Sequence, residues 1–94
     1  MQDYIKLEAQ YGAHNYHPLP VVLHRAQGIY AYDTEGKAYI DMMSAYSALS
    51  FGHSHPKLLA ALTQQAGRLA LTARALYNDQ LGAFFAKACQ LFGK

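Results

Sequence analysis

The sequence has no tryptophan, one cysteine, three prolines and few charges. With Cys89 as the only thiol, no internal disulfide can form, which fits a cytoplasmic setting better than an oxidising one. Charged residues make up 15% of the chain, against about a quarter in ordinary soluble domains. The lysines and arginines are scattered and the net charge is +2, so no basic stripe points to nucleic acid. No apolar run approaches the roughly 20 residues that cross a bilayer. The short amphipathic start, Met1 to Lys6, lacks the apolar core of a signal peptide. Walker, Gly-x-Gly-x-x-Gly and Gly-x-Ser-x-Gly motifs are all missing. What the chain does have is apolar surface: 52% of its 94 residues are hydrophobic. A chain this short has too little interior to hide that much, so part of it is expected to lie against another chain or a further domain.

The patterning predicts a small α+β unit. Asp3 to Tyr11 reads as a helix with Tyr4, Leu7, Glu8 and Tyr11 on one side, ended by Gly12. His14 to Pro20 is irregular, because Pro18 and Pro20 prevent a helix and favour extended backbone. Val21 to Arg25, Ile29 to Asp33 and Lys37 to Asp41 read as three strands of an antiparallel meander. Between the last two, Asp33 opens a type I turn and Gly36 takes the left-handed position of a bulged hairpin. Met42 to Gly52, with small residues around Tyr46, reads as a buried loop. Pro56 suits a first helical turn capped by Ser54 or His55, and Leu58, Leu62, Ala66 and Leu69 mark one face. A last helix, capped by Asn78 or Asp79, carries Leu81, Phe84, Phe85, Ala88 and Phe92 on its apolar face.

Several constellations could carry chemistry. His14 and His17 flank Asn15-Tyr16, and His53-Ser54-His55 is an H-x-H; imidazoles at such spacing can bind zinc or iron. No carboxylate or cysteine lies close in sequence to complete a site, so these histidines are expected to satisfy loop backbone groups, and no metal is assigned. Cys89 falls on or beside the apolar face of the last helix, where a buried, inert thiol is expected. Asp33 and Asp41 sit at hairpin ends, where turn formation accounts for them. Tyr30, Tyr32 and Tyr39 lie on strands as packing residues. Tyr16 and Tyr46 lie in irregular segments. Each could pack on the core, or could offer its hydroxyl to a small polar ligand while its ring walls a pocket.

The run Tyr11-Gly12-Ala13-His14-Asn15-Tyr16-His17-Pro18-Leu19-Pro20-Val21 resembles the N-terminal signature of ornithine aminotransferases. Similar stretches continue along the chain: Gly28-Ile29-Tyr30, Ser44-Ala45-Tyr46-Ser47-Ala48, Gly52-His53, His55-Pro56-Lys57 and Leu71-Thr72-Ala73-Arg74-Ala75-Leu76-Tyr77-Asn78. The Gly-His-x-His-Pro part is shared with related class III aminotransferases, whereas the first run is specific to the ornithine branch. Where the family usually has Asn-Gln before Gly-His, this chain has Ser50-Phe51, which bears on substrate preference at the pocket edge.

The resemblance implies the N-terminal part of a fold type I, pyridoxal-phosphate-dependent transferase. It implies a small-domain meander at about 21–41, an active-site loop at about 42–55 and helices at about 56–69 and 79–92. It implies transfer of the δ-amino group of L-ornithine to 2-oxoglutarate, giving glutamate-5-semialdehyde and glutamate, in a homodimer or larger assembly. Tyr16 and Tyr46 match the family's substrate-pocket tyrosines: Tyr16 to hold the α-amino and carboxylate end, Tyr46 to wall the pocket. Ornithine carries two amines, so a pocket must grip one end to present the other. Lys6, Lys37, Lys57, Lys87 and Lys94 read as solvated residues, and none matches the family's Schiff-base lysine, which lies further on. The large cofactor domain is thus expected to be absent, with no catalytic or cofactor-binding residue in this chain and no turnover by it alone. A non-catalytic dimerisation fragment and a histidine metal module are the alternatives.

Overall fold

The computed structural model describes residues 1–93. The elements in chain order are α1 (Gln2–Tyr11), β1 (Leu23–Gln27), β2 (Tyr30–Asp33), β3 (Ala38–Ile40), α2 (Ser44–Ser47), α3 (Pro56–Arg68) and α4 (Leu81–Phe92). The strands form one antiparallel sheet in the order β1-β2-β3. The α+β order of helix, meander and two helices is as the sequence predicts, with the single turn α2 added. The chain divides into two compact units, Met1–Leu59 and Ala60–Lys94.

In the first unit, Gly12 ends α1 by turning extended (φ −84, ψ 160) while its N–H donates to the Glu8 carbonyl. A Cβ at Gly12 would stand 2.7 Å from that oxygen, so a side chain there would force the exit to shift. His14 Nε2 then donates to the Ala9 carbonyl at 2.7 Å, serving one of the orphan acceptors at the helix end.

The first strand begins two residues later than predicted, at Leu23 instead of Val21. The Val21 N–H donates to the Leu19 carbonyl at 2.7 Å, a tight turn about Pro20 that takes it out of the sheet. Pairing is fixed at the other end by Gln27 opposite Tyr30, leaving Gly28-Ile29 as a two-residue hairpin loop. Gly28 alone of the two has positive φ (60°), the type II′ pattern that matches strand twist. A register shift follows between Leu23 and Arg25, and the Arg25 guanidinium lies 3.6 Å over the Tyr32 ring. The second strand lacks only the predicted Ile29, which belongs to the hairpin loop, and the third lacks Lys37 and Asp41 at its two ends.

The hairpin between β2 and β3 has the predicted chemistry. Gly36 has φ +85 and donates to the Asp33 carbonyl, and Asp33 N–H donates to Lys37. Asp33 Oδ1 accepts N–H bonds from Glu35 and Lys37, and Oδ2 accepts the Tyr39 hydroxyl, all at 2.9 Å. Asp33 is 3% exposed and Ala31 2%; these two form the buried centre. Burial by itself raises the Asp33 pKa, but the Lys37 N–H, the Tyr39 hydroxyl and the Glu35 N–H together hold it below the ordinary carboxylate value. The same hydrogen bond raises that of Tyr39. Tyr39 is therefore a ligand of the turn carboxylate as well as a packing residue.

Pro56 starts α3, where His55 Nδ1 accepts the Lys57 N–H and the His55 carbonyl accepts the Leu59 N–H. In the second unit, Asn78 Oδ1 accepts N–H bonds from Gln80 and Leu81, capping α4, and Arg68 pairs with Asp79 at 3.2 Å. The regular helices end at Arg68 and begin at Leu81, so they are one and two residues shorter than predicted. The predicted apolar faces are present but uncovered: Leu58, Leu62, Phe84, Phe85 and Phe92 are exposed. Cys89 is exposed too, which corrects the expectation of a buried thiol: its helix has no partner over that face among the described residues. Lys94, read from the sequence as solvated, lies outside the described residues.

Candidate functional site

The segment read as a buried loop, Met42 to Gly52, is mostly exposed: Met42 is 86% exposed and Tyr46 79%. It also has a conformation that composition gave no reason to expect. Ser44, Ala45, Tyr46 and Ser47 all have positive φ (50, 48, 57 and 74°), and ψ at Ala45 and Tyr46 is 48 and 47°. α2 is thus a single left-handed helical turn built without glycine. Each non-glycine residue there costs roughly 1–2 kcal/mol, because Cβ crowds the following carbonyl. Such a turn persists only where surrounding structure over-determines it, and such strain clusters at functional sites.

Asp41 supplies part of that determination. Its N–H donates to the Ile29 carbonyl at 2.8 Å. Oδ1 accepts N–H bonds from Met43 and Ser44, each 2.9 Å, and Oδ2 accepts His53 Nε2 at 2.6 Å. The Ser44 N–H, followed by the His53 imidazole, holds the Asp41 carboxyl below the ordinary carboxylate value, against a smaller upward push from desolvation. His53 is tied to the same hairpin loop: its N–H donates to the Gly28 carbonyl at 2.9 Å and its carbonyl accepts the Gly28 N–H at 3.0 Å. Gly52 makes that approach possible. It has φ +80, and a Cβ there would meet the Gly28 carbonyl oxygen at 3.0 Å.

The turn presents Tyr46, and its hydroxyl meets that of Tyr16 at 2.6 Å. The two candidate tyrosines, 30 residues apart in sequence, are therefore brought together by the fold. Tyr16 arrives on the extended, proline-fixed segment and lines a groove of about 400 Å³ walled by α1 and by Pro18 to Leu23. Both rings are open to solvent, at 70% and 79% exposure. The hydrogen bond with Tyr16, and secondarily desolvation, raises the Tyr46 pKa above its ordinary value. At this spacing one hydroxyl donates to the other, which leaves one phenol proton and the oxygen lone pairs to meet a polar ligand beside the pair.

Three of the four histidines singled out from the sequence have structural partners. His14 and His53 are occupied as described, and His55 meets the Phe51 ring edge-on at 6.2 Å between centroids. Among the described residues, no group of three His, Cys, Asp or Glu residues could hold a metal ion. Asp41, assigned from sequence to hairpin formation, instead joins α2 to His53. Its only sequence signal was its place one turn ahead of a run of small residues.

Pyridoxal phosphate needs an amine for its aldehyde and donors for its phosphate. The Tyr16 groove is lined by neither lysine nor arginine, nor is the hollow of about 230 Å³ between the Gly28 loop and α2. These walls do not by themselves fit the cofactor, so no cofactor step is assigned to them.

Comparison with known proteins places this geometry. The sequence profile described as Aminotransferase class-III matches residues 11–94. An ornithine aminotransferase of Geobacillus sp. (strain WCH70) is 54% identical over 92 residues, covering 98% of this chain and 23% of the relative. The crystal structure of an acetylornithine aminotransferase from Elizabethkingia anophelis superposes with a TM-score of 0.95 at 55% identity, covering 98% of this chain and 24% of that one. The ornithine delta-aminotransferase of Plasmodium falciparum superposes with a TM-score of 0.94 at 47% identity, covering 98% and 24%. The chain thus spans about a quarter of the length of the relatives it matches. The class-III family depends in general on pyridoxal phosphate. With a profile match over nearly its whole length and the same fold as the matching part of these enzymes, the chain belongs to the class-III aminotransferase family.

Proposed function

We propose that this chain is the N-terminal portion of an ornithine aminotransferase and supplies the side of the substrate pocket that grips the non-reacting end of L-ornithine. The observation that carries the reading is the 2.6 Å contact between the Tyr16 and Tyr46 hydroxyls. Ornithine's two amines differ mainly in the carboxylate beside one of them. A phenol pair can hydrogen-bond the α-amino and carboxylate groups and leave the δ-amine pointing onward, so positioning does the discriminating. In this reading Tyr16 holds the α-end and the Tyr46 ring walls the pocket. The complete enzyme passes the δ-amino group to 2-oxoglutarate, giving glutamate-5-semialdehyde and glutamate. The Schiff-base lysine and the phosphate donors come from elsewhere in the polypeptide.

The exposed apolar faces of α3 and α4 support burial against the rest of the enzyme or a second subunit, as surfaces of this kind mark interfaces. The same faces favour a second reading, in which the segment acts only as an association module. A cytoplasmic enzyme is the setting proposed, and no described helix is long and apolar enough to cross a membrane.

The test is a Tyr16→Phe variant of the complete enzyme assayed with L-ornithine and with N-acetyl-L-ornithine. Removing a hydroxyl that bonds the substrate's polar end raises KM for ornithine about tenfold and leaves KM for 2-oxoglutarate nearly unchanged. An enzyme that prefers the acetylated substrate, or an ornithine KM indifferent to Tyr16, rejects the assignment.

A further inference from the structure

We propose that Asp41 and His53 are positioning residues that set the left-handed course of α2 and thereby hold Tyr46 against Tyr16. The inference rests on the reading of Tyr46 as a substrate-pocket residue. Four consecutive non-glycine residues do not enter the left-handed region on local preference, so the turn must be imposed from outside.

The imposed contacts converge on one carboxylate. Asp41 Oδ1 takes the Met43 and Ser44 N–H groups, the two that lead into the left-handed turn. Oδ2 is fixed by His53 Nε2, so the carboxylate cannot rotate to release them without losing a short, charge-assisted contact. Both partners are anchored to the same two-residue hairpin loop: Asp41 through the Ile29 carbonyl, and His53 through both backbone groups of Gly28. The hairpin loop therefore dictates where α2 starts and where the chain leaves it, and Tyr46 is carried between these fixed points. Asp41 and His53 line the small hollow between the Gly28 loop and α2 and not the Tyr16 groove; their side chains are spent on the Met43 and Ser44 N–H groups and on each other, so they act on the pocket by placing Tyr46.

A double-mutant cycle in the complete holoenzyme tests this. Asp41→Ala, Tyr46→Ala and the double variant are compared for KM and kcat with L-ornithine. Crystal structures report φ at residues 44–47 independently of activity. Asp41→Ala is expected to raise KM about tenfold with a smaller change in kcat, and to return residues 44–47 to negative φ. The double variant is expected to be no worse than Tyr46→Ala alone. An equal fold-change from Asp41→Ala in both backgrounds, or a left-handed turn retained in the variant, overturns the proposal. Should Asp41→Ala fail to fold, His53→Ala runs the same cycle. His53→Gln, whose amide still donates to Asp41, then restores the native KM if the contact is what matters. If Tyr46→Ala leaves the ornithine KM unchanged, the pocket reading fails, and the φ values still decide whether Asp41 and His53 hold the turn.

Discussion

Replacing Gly52 by alanine perturbs the point where the Met42–Gly52 segment crosses the first hairpin. Two costs add there. Gly52 has φ +80, and an L-residue in the left-handed region loses roughly 1–2 kcal/mol. The new Cβ would also lie 3.0 Å from the Gly28 carbonyl oxygen and 3.2 Å from the Gly28 carbonyl carbon and Cα. That neighbour is backbone and is tied to His53 by two hydrogen bonds, so it can retreat only by stretching them. Losing one such bond costs about 1 kcal/mol. The sum is about 2–3 kcal/mol, which is roughly a thirty- to hundred-and-fortyfold rise in local opening. Gly36 serves as the control: its φ is +85, and a Cβ there meets nothing within 4 Å. Amide hydrogen exchange reads the difference residue by residue. Gly52→Ala should speed exchange of the Gly28 and His53 amides by that factor, whereas Gly36→Ala should affect only the Asp33–Lys37 turn. Unchanged protection of Gly28 and His53 in Gly52→Ala would refute the close approach as the constraint.

Other consequences are equally specific. Asn78→Ala removes the acceptor for the Gln80 and Leu81 amides and should cost about 1 kcal/mol, seen as faster exchange at those two amides and largely restored by Asn78→Asp. Asp33 and Asp41 titrate below the ordinary value of 3.8 when folded, so the unfolded chain takes up their protons first as pH falls. Their stabilisation is therefore complete above about pH 4 and is lost as pH drops through the depressed values. Amide shifts of Glu35, Lys37, Met43 and Ser44 should move only in that window, and release already at pH 6 would contradict it. The Tyr46 pKa is raised from 10.0 by its bond to Tyr16, so that contact contributes fully below pH 10 and is lost as pH rises through the higher folded value. Tyr16→Phe should bring Tyr46 ionisation down in an ultraviolet titration, measured against Tyr46→Phe to isolate the one phenol.

What could be read from the sequence was chemistry confined to a few neighbouring residues. Asp33 to Gly36 specify their turn by side-chain acceptor and left-handed glycine, and Asn78 specifies the start of α4, so both follow from local rules. The first strand reads two residues early because Val21 and Val22 look like the start of a strand, while the Pro20 turn removes Val21 from pairing. The handedness of α2 was not legible at all. Nothing in Ser-Ala-Tyr-Ser favours it, and of the groups that hold it only Asp41 is a neighbour in sequence, whereas its partner His53 and the Gly28 loop that anchors His53 are not. Burial was misjudged at Met42 to Gly52 and at Cys89 for a related reason. Apolar patterning says which face wants cover, but the cover itself is a property of the partner. The tyrosine pair falls between these cases. Resemblance singled out Tyr16 and Tyr46 separately, and only the fold shows their hydroxyls in contact.

The central claim, that this segment forms the ornithine-gripping side of an aminotransferase pocket, is met most directly by reconstitution. The 94-residue chain is mixed with the separately expressed remainder of the enzyme and pyridoxal phosphate, and glutamate-5-semialdehyde formation from L-ornithine and 2-oxoglutarate is followed. The account predicts no turnover by either piece alone, turnover by the mixture, and a raised ornithine KM when the added chain carries Tyr16→Phe. A remainder that turns over ornithine with unchanged KM in the absence of this chain would contradict it.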